Sequence, residues 1–294
     1  MPEKQPNLLF LMTDHQRADS LGMVQAGVEV TPNLNRLASR GTSFERAYTT
    51  CPLCVPARTA LATGLYPTRN GVVTNDWRGD SAGDHLTLHE ILFRAGYDVA
   101  HIGVDHIRVR PGLRERVSFS CWEDNRTYRE VLNGCGIDAA PRDPGRFKRR
   151  VMENHEGIPV ECPYSSTATG VWPGPAEAFK DAYWCDRAVE FLREPRDKPF
   201  ALFLYLWAPH PPLRVPEPFA SLFPPEELEL PPNVGCPAEG APAAYRTGIA
   251  SQLAEGVTLD QWRRVWAAHL GLVRLADTGL GRVLDTLADT GAAK

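Results

Sequence analysis

Long apolar runs are missing from this 294-residue sequence. The two that stand out, Leu8 to Met12 and Phe200 to Ala208, fall far below the ~20 residues needed to cross a bilayer, and both read as buried strands. The N-terminal Met1-Pro2-Glu3-Lys4-Gln5-Pro6 has neither the long apolar segment nor the small-residue cleavage site of a secretory leader. No membrane role and a cytoplasmic location are therefore expected. An excess of positive charge is also absent: 32 Lys and Arg against 36 Asp and Glu leave a net charge of -4, so no global field exists to hold nucleic acid. Any anion must be bound by a local group. Cysteine is sparse and odd in number, with seven at Cys51, Cys54, Cys121, Cys135, Cys162, Cys185 and Cys236, which does not suggest a disulfide framework in a chain this size. Hydrophobic residues at 43% and charged residues at 23% exclude a disordered, collagen-like or coiled-coil protein.

What is present is an alternation of strand and helix signals. Asn7 to Thr13 is apolar and ends in Asp14-His15-Gln16-Arg17, the pattern of a buried parallel strand that delivers polar residues to a cleft. Thr31-Pro32 predicts an N-cap and a first-turn proline, with Leu34, Leu37 and Ala38 on one face and Gly41 past the end. A second helix is predicted from Pro56 through Leu61 to Gly64, and a third from Thr87, with Glu90 completing a capping box, to Gly96. Tyr97 to Gly103 reads as the next strand. From Asp105 to about Pro175 periodicity fades while Pro, Gly and Arg accumulate, predicting a long irregular insertion over the strand ends; its Arg146-Phe147-Lys148-Arg149-Arg150 run reads as a solvated face. A helix is expected over Ala178 to Arg193, with Ala182, Cys185, Val189 and Leu192 sharing a face, then the strand Phe200 to Ala208. After a Pro-rich loop from Pro209 to Pro242, Thr258 and Gln261 form another capping box, opening a helix with Trp262, Trp266, Val273, Leu280 and Leu287 that Gly291 caps. Such βα repetition predicts an α/β fold with a parallel sheet between helices, as one domain over 1–294. The chain stops where a further strand is due.

The segment richest in chemistry is Cys51-Pro52-Leu53-Cys54-Val55-Pro56-Ala57-Arg58-Thr59-Ala60-Leu61-Ala62-Thr63-Gly64. Cys51 and Cys54 make a CxxC, but a zinc site would need a second pair or clustered histidines, and none is visible. Taken instead with Pro56 and Arg58, Cys54 sits at the mouth of a helix, a turn from a guanidinium. Both surroundings favour an anion.

With those residues the chain resembles the sulfatase family, whose signature is Cys-x-Pro-x-Arg followed by Thr-Gly at the helix end. The likeness extends over Asn7 to Asp14, Thr31-Pro32-Asn33-Leu34, Phe44 with Ala47-Tyr48, Gly64-Leu65-Tyr66-Pro67, Gly96-Tyr97 to His106, Pro209-His210-Pro211-Pro212 and Gly281-Arg282-Val283-Leu284. It implies an alkaline-phosphatase-like, mostly parallel sheet flanked by helices on both faces, and hydrolysis of a small-molecule sulfuric ester. It further implies that a maturation enzyme converts Cys54 to formylglycine, whose hydrate attacks sulfur, the other reading being an unmodified structural thiol. Asp14 and the residue at Cys54 would hold a divalent cation, Ca2+ first and Mg2+ or Mn2+ as alternatives. His15 stands where many members have a second aspartate, as a ligand or as a residue behind one. Arg58 would stabilise the nucleophile, and His106 and His210 would handle sulfate and leaving group.

Two departures and one branch-specific likeness qualify the resemblance. The lysine of the family's Gly-Lys-x-His motif is Val104 in Gly103-Val104-Asp105-His106, so another cation, Arg108 or Arg110, would have to serve. Asn75 resembles an asparagine of the choline sulfatase and phosphonate monoester hydrolase branches; its plain reading is a turn residue. The family's later metal-binding segment is not found, so the chain is expected to be the N-terminal part of a longer enzyme. The alternatives to a sulfatase are a phosphonate monoester or phosphodiester hydrolase and a non-catalytic relative. Trp77, Trp122, Tyr128 and Trp172 are expected on loops, where they would stack a substrate or simply pack.

Overall fold

Phe200 to Tyr205 is apolar at every position, and the chain buries it on both faces, as the middle of a parallel sheet requires. The computed structural model describes residues 5–75, 81–138, 143–155, 157–236 and 239–293; Trp77 lies outside them. In chain order the strands and helices are β1 (Leu8–Met12), β2 (Val24–Gln25), β3 (Val28–Glu29), α1 (Pro32–Ala38), α2 (Cys54–Thr63), α3 (Pro67–Asn70), α4 (Leu88–Arg94), β4 (Asp98–Gly103), α5 (Leu113–Arg116), β5 (Cys121–Glu123), α6 (Asn125–Gly134), β6 (Lys148–His155), β7 (Ile158–Ser165), β8 (Thr169–Val171), α7 (Lys180–Arg193), β9 (Phe200–Tyr205), β10 (Leu213–Val215), α8 (Ala243–Thr247), α9 (Ile249–Ala254) and α10 (Leu259–Asp289). The main sheet has the order β1-β9-β4-β5, and each of its pairings is parallel. No helix among the described residues is long and apolar enough to cross a membrane.

Strand parity places helices on both faces. Phe200 meets Phe191 of α7 edge-on at 5.7 Å, whereas Phe203, three residues on and therefore on the opposite face, stacks at 3.8 Å on His89 of α4. The strand ends are drawn close: a Cβ at Gly103 would lie 1.9 Å from the Tyr205 carbonyl oxygen, and its φ of +114° is one that only glycine adopts freely. Helix α10 starts at the predicted Thr258–Gln261 capping box and packs on α7 so tightly that a Cβ at Gly279 would stand 2.6 Å from Cys185 Sγ.

Several local expectations change. Strand β1 is half-buried along its length, because it lies at the edge of the described sheet. The segment 105–175 is not irregular: β5 extends the main sheet, α6 sinks Tyr128 and Leu132 into the core, and β6 and β7 form an antiparallel hairpin. Trp122 lies in β5, stacked on His101 at 4.7 Å; Trp172 is buried; the Tyr128 hydroxyl donates to the Ala178 carbonyl. The buried face of α7 is Asp181, Trp184, Cys185, Ala188, Phe191 and Leu192, rotated from the predicted one by what packs on it. Thr31 does not cap α1; its hydroxyl donates to the Ser20 carbonyl, and Asp277 of α10 accepts from the Asn33 and Leu34 amides instead. Thr87 caps α4, but Glu90 turns to Arg94 and Arg116 and leaves the box half made.

His89 and His101 form a fully buried pair, with His101 Nδ1 3.4 Å from His89 Nε2. Burial pushes His101 down to about 4, and His89 well below the ordinary imidazole value, with the neighbouring ring adding to the fall. The unfolded chain takes up these protons near pH 6.5, whereas the folded chain refuses His101's until about pH 4. Their stability contribution is thus present above about pH 6.5 and lost on acidification, by roughly 3 kcal/mol for His101 alone. Urea midpoints between pH 7.5 and pH 4.5 should fall steeply, and less steeply in His101→Phe; parallel profiles would contradict this account.

Candidate active site

The parallel strands β1, β9 and β4 bring their C-terminal ends to one edge, where ligands bind in open α/β sheets. Backbone bonds knit those ends together: Leu206 N donates to the Met12 carbonyl at 2.7 Å, Asp14 N to the Ala208 carbonyl at 3.3 Å and Val104 N to the Tyr205 carbonyl at 2.8 Å. Asp14 and His210 therefore emerge side by side from segments nearly two hundred residues apart.

Cys54 is the first residue of α2, and Gly64, left-handed at φ 68°, ends it as the motif spacing predicts. The Asn75 amide bridges the first turn. Its Nδ2 donates to Cys54 Sγ at 3.2 Å and its Oδ1 accepts from Val55 N at 3.1 Å, satisfying a backbone donor that a helix start leaves open. One turn on, Arg58 is 3% exposed; its Nη2 donates to Asp14 Oδ2 at 3.2 Å, and its guanidinium lies 5.3 Å from the centre of the Tyr205 ring. Arg58 Nη1 is buried without an acceptor among the described residues. Such a donor suits an incoming oxyanion.

The histidines gather on the other side of Asp14. His15 takes a left-handed φ of 65°, uncommon for a side chain with a Cβ and a mark of functional sites; its Nε2 is 3.7 Å from Asp14 Oδ1 and its ring 4.3 Å from that of His210. The His210 ring rests on Trp207 at 4.0 Å, and its Nδ1 points at the Pro211 carbonyl. A carbonyl only accepts, so Nδ1 carries the proton and Nε2 presents a lone pair. Burial pulls His210 down to about 4, with His15 adding to the fall, and burial, then Arg58, do the same to His106. His106 meets Trp207 edge-on at 6.3 Å. In this state both are neutral at pH 7.

The turn carrying His210 is held by a residue that sequence reasoning missed. Asp181 of α7, 1% exposed, accepts from Trp207 N at 2.6 Å and Ala208 N at 2.9 Å, and burial lifts its carboxyl to about 6. Lys180, beside it, was also missed: its Nζ lies 4.8 Å from the Trp207 ring centre. Val104 is fully buried in the core. Of the two arginines expected to replace the family's lysine, Arg108 reaches the Asn75 carbonyl at 3.4 Å, while exposed Arg110 is engaged through its backbone with Gly83 and Arg116 and does not join the site.

Asp14, His15, Cys54 and Arg58 line a cleft of ≈ 960 Å³. Among the described residues, no three or more His, Cys, Asp or Glu side chains converge as a metal site. One carboxylate, half engaged by Arg58, with a histidine and a cysteine does not fit a hard cation, which takes about six oxygens.

A family model described as sulfatase matches residues 6–294. A multifunctional alkaline phosphatase superfamily protein, PehA, of Trinickia caryophylli is 31% identical, the match covering 97% of this chain and 60% of that protein. An arylsulfatase of Clostridium perfringens is 26% identical, covering 97% and 60%. The crystal structure of a phosphonate monoester hydrolase of Agrobacterium radiobacter superposes with a TM-score of 0.71 at 24% identity, covering 98% of this chain and 60% of that one; it shares the fold. The chain thus spans about 60% of the length of these relatives.

Proposed function

Because the chain belongs to the sulfatase family, we propose that it carries the nucleophile of a hydrolase that cleaves sulfuric esters at the S–O bond. Cys54, converted to formylglycine by a maturation enzyme, is the attacking residue in this reading. A hydrated aldehyde has two hydroxyls: one is esterified by the attack on sulfur, and the other lets that ester collapse to sulfate and aldehyde. A divalent cation, Ca2+ first, belongs to the same reading, and it requires ligands beyond Asp14. The observation that carries the proposal is the Asn75 contact with Cys54 Sγ at the start of α2, one turn from Arg58.

Asn75 orients the group on residue 54, and Arg58, with a buried Nη1 to spare, stabilises negative charge there. His106 and His210, neutral and with a lone pair on His210 Nε2, take up the proton that the attacking hydroxyl gives up and pass it to the departing oxygen, which leaves as the alcohol. Asp14 fixes the Arg58 fork.

A second reading, a phosphonate monoester or phosphodiester hydrolase, is favoured by the buried Val104 and by Asn75. One experiment separates them. The protein is expressed with a maturation enzyme from its own reading frame, as far as that frame runs, and kcat/KM is compared for 4-nitrophenyl sulfate and a 4-nitrophenyl phosphonate monoester. A sulfate preference of about tenfold or more supports the first reading, and the reverse ratio the second. An intact Cys54 thiol by peptide mass spectrometry, with neither ester turned over, would leave a non-catalytic relative.

A further inference from the structure

Beside the nucleophile cleft lies a second cavity of ≈ 470 Å³, walled by Tyr128, Trp172 and Trp207 and bearing Lys180, Arg129 and Arg214, with no carboxylate in its lining. His106 and His210 line it, whereas Cys54, Asp14 and Arg58 do not. The two cavities meet at the histidines, where His15 of the nucleophile cleft lies 4.3 Å from the His210 ring. In the reaction proposed above His106 and His210 stand by the departing oxygen, so this cavity is placed to receive the leaving group.

Lys180 is the unusual member. It occupies the first position of α7, where a cation opposes the helix dipole, and burial lowers its proton affinity. Its Nζ donates to Asn125 Oδ1 at 3.2 Å and lies 5.9 Å from the Tyr128 ring centre and 4.8 Å from that of Trp207. Its neighbour Asp181 is committed to the Trp207 and Ala208 amides. Neither Lys180 nor Arg129 forms an ion pair among the described residues. Aromatic walls suit a flat or pyranose ring, and the buried Lys180 ammonium, with the exposed Arg129 guanidinium near it, suits an anion on that ring.

We propose that this cavity is the leaving-group subsite and that Lys180, with Arg129 at its rim, selects esters whose ring-bearing leaving group carries a second anionic group. The inference rests on the hydrolase reading for its substrate, but not for its binding chemistry. Aryl acids and uronic sugars share that chemistry.

The test compares kcat/KM for phenyl sulfate and 4-carboxyphenyl sulfate, and for a sulfated methyl glucoside and its glucuronide. The wild-type protein should favour the carboxylated member of at least one pair by about tenfold, and the favoured pair identifies an aryl or a sugar ring. Lys180→Met should lose about tenfold more on the carboxylated ester than on its neutral partner, through KM, and Lys180→Arg should recover part of the ratio. Arg129→Ala, at an exposed position, should reduce the ratio about threefold. Equal losses on both esters, or no wild-type preference in either pair, overturn the proposal. If neither ester turns over, tryptophan fluorescence titration decides: 4-hydroxybenzoate should bind about tenfold more tightly than phenol in the wild-type protein but not in Lys180→Met, and equal affinities overturn the subsite. A protein that binds without turnover thus fails the hydrolase reading alone.

Discussion

Replacing Cys54 by alanine is expected to lower kcat by a factor on the order of 10⁴ or more, because it deletes the attacking group of the proposed reaction. Stability should barely change. Cys54 is half-buried at a helix start, and alanine removes one sulfur without leaving a charge unpaired. Cys54→Ser separates a formylglycine mechanism from simple nucleophilic attack. A serine hydroxyl can be sulfated once but has no second hydroxyl to expel the sulfate, so this variant should release at most one equivalent of leaving group. It should then persist as a sulfated protein, visible as a mass increase on the peptide spanning residue 54. Asn75→Ala should act in the same place more weakly, lowering kcat by about tenfold, since it only orients the Cys54 group. Residual activity above about 1% in Cys54→Ala would move the nucleophile elsewhere.

Arg58→Met carries the second large effect, and it falls on stability and activity together. Arg58 and Asp14 form an ion pair whose side chains are 4% and 9% exposed. Removing one partner strands the other charge in a low-dielectric setting, which costs about 3–5 kcal/mol. Loss of the guanidinium should also slow turnover by roughly 10²–10³-fold, the usual range for a preorganised donor facing developing negative charge. Arg58→Lys should recover part of the stability but little of the rate, because the donors of an ammonium radiate from one nitrogen and cannot take the separate, fixed positions of Nη2 on Asp14 and Nη1 in the site. The double variant Asp14→Asn with Arg58→Met removes both charges, and its urea midpoint should return toward that of the wild-type protein while activity stays low. A single Arg58→Met variant of unchanged stability would show that the pair is solvated and its geometry unimportant.

Local signals located the elements with strong local causes. The Thr258–Gln261 box opens α10, Gly64 closes α2, and the uninterrupted apolar run 200–205 becomes the buried β9. Legibility fell where an element owes its place to distant residues. Helix α6, polar on average but strongly amphipathic, with an Asp124 cap and Tyr128 and Leu132 pinned to the core, hid inside a segment read as irregular because its apolar face is only two buried side chains wide among Pro-, Gly- and Arg-rich neighbours. The buried face of α7 was misjudged because Asp181, a charged residue, sits on it to hold the turn before His210.

What the sequence determined by itself was the helix start at residue 54: a cysteine, a proline and an arginine spaced along its first turn, which local geometry alone places at a helix mouth. It also determined the alternation that yields a parallel sheet. What only the tertiary structure decided was every relation across sequence distance. Asn75 reaches back 21 residues to Cys54, Arg58 reaches 44 to Asp14, Asp277 caps a helix 244 residues earlier, and Lys180 stands by the histidines without any motif to announce it. Propensity and periodicity act over one or two turns, whereas burial and charge pairing depend on which surfaces meet, and that is settled only when the sheet closes over its helices.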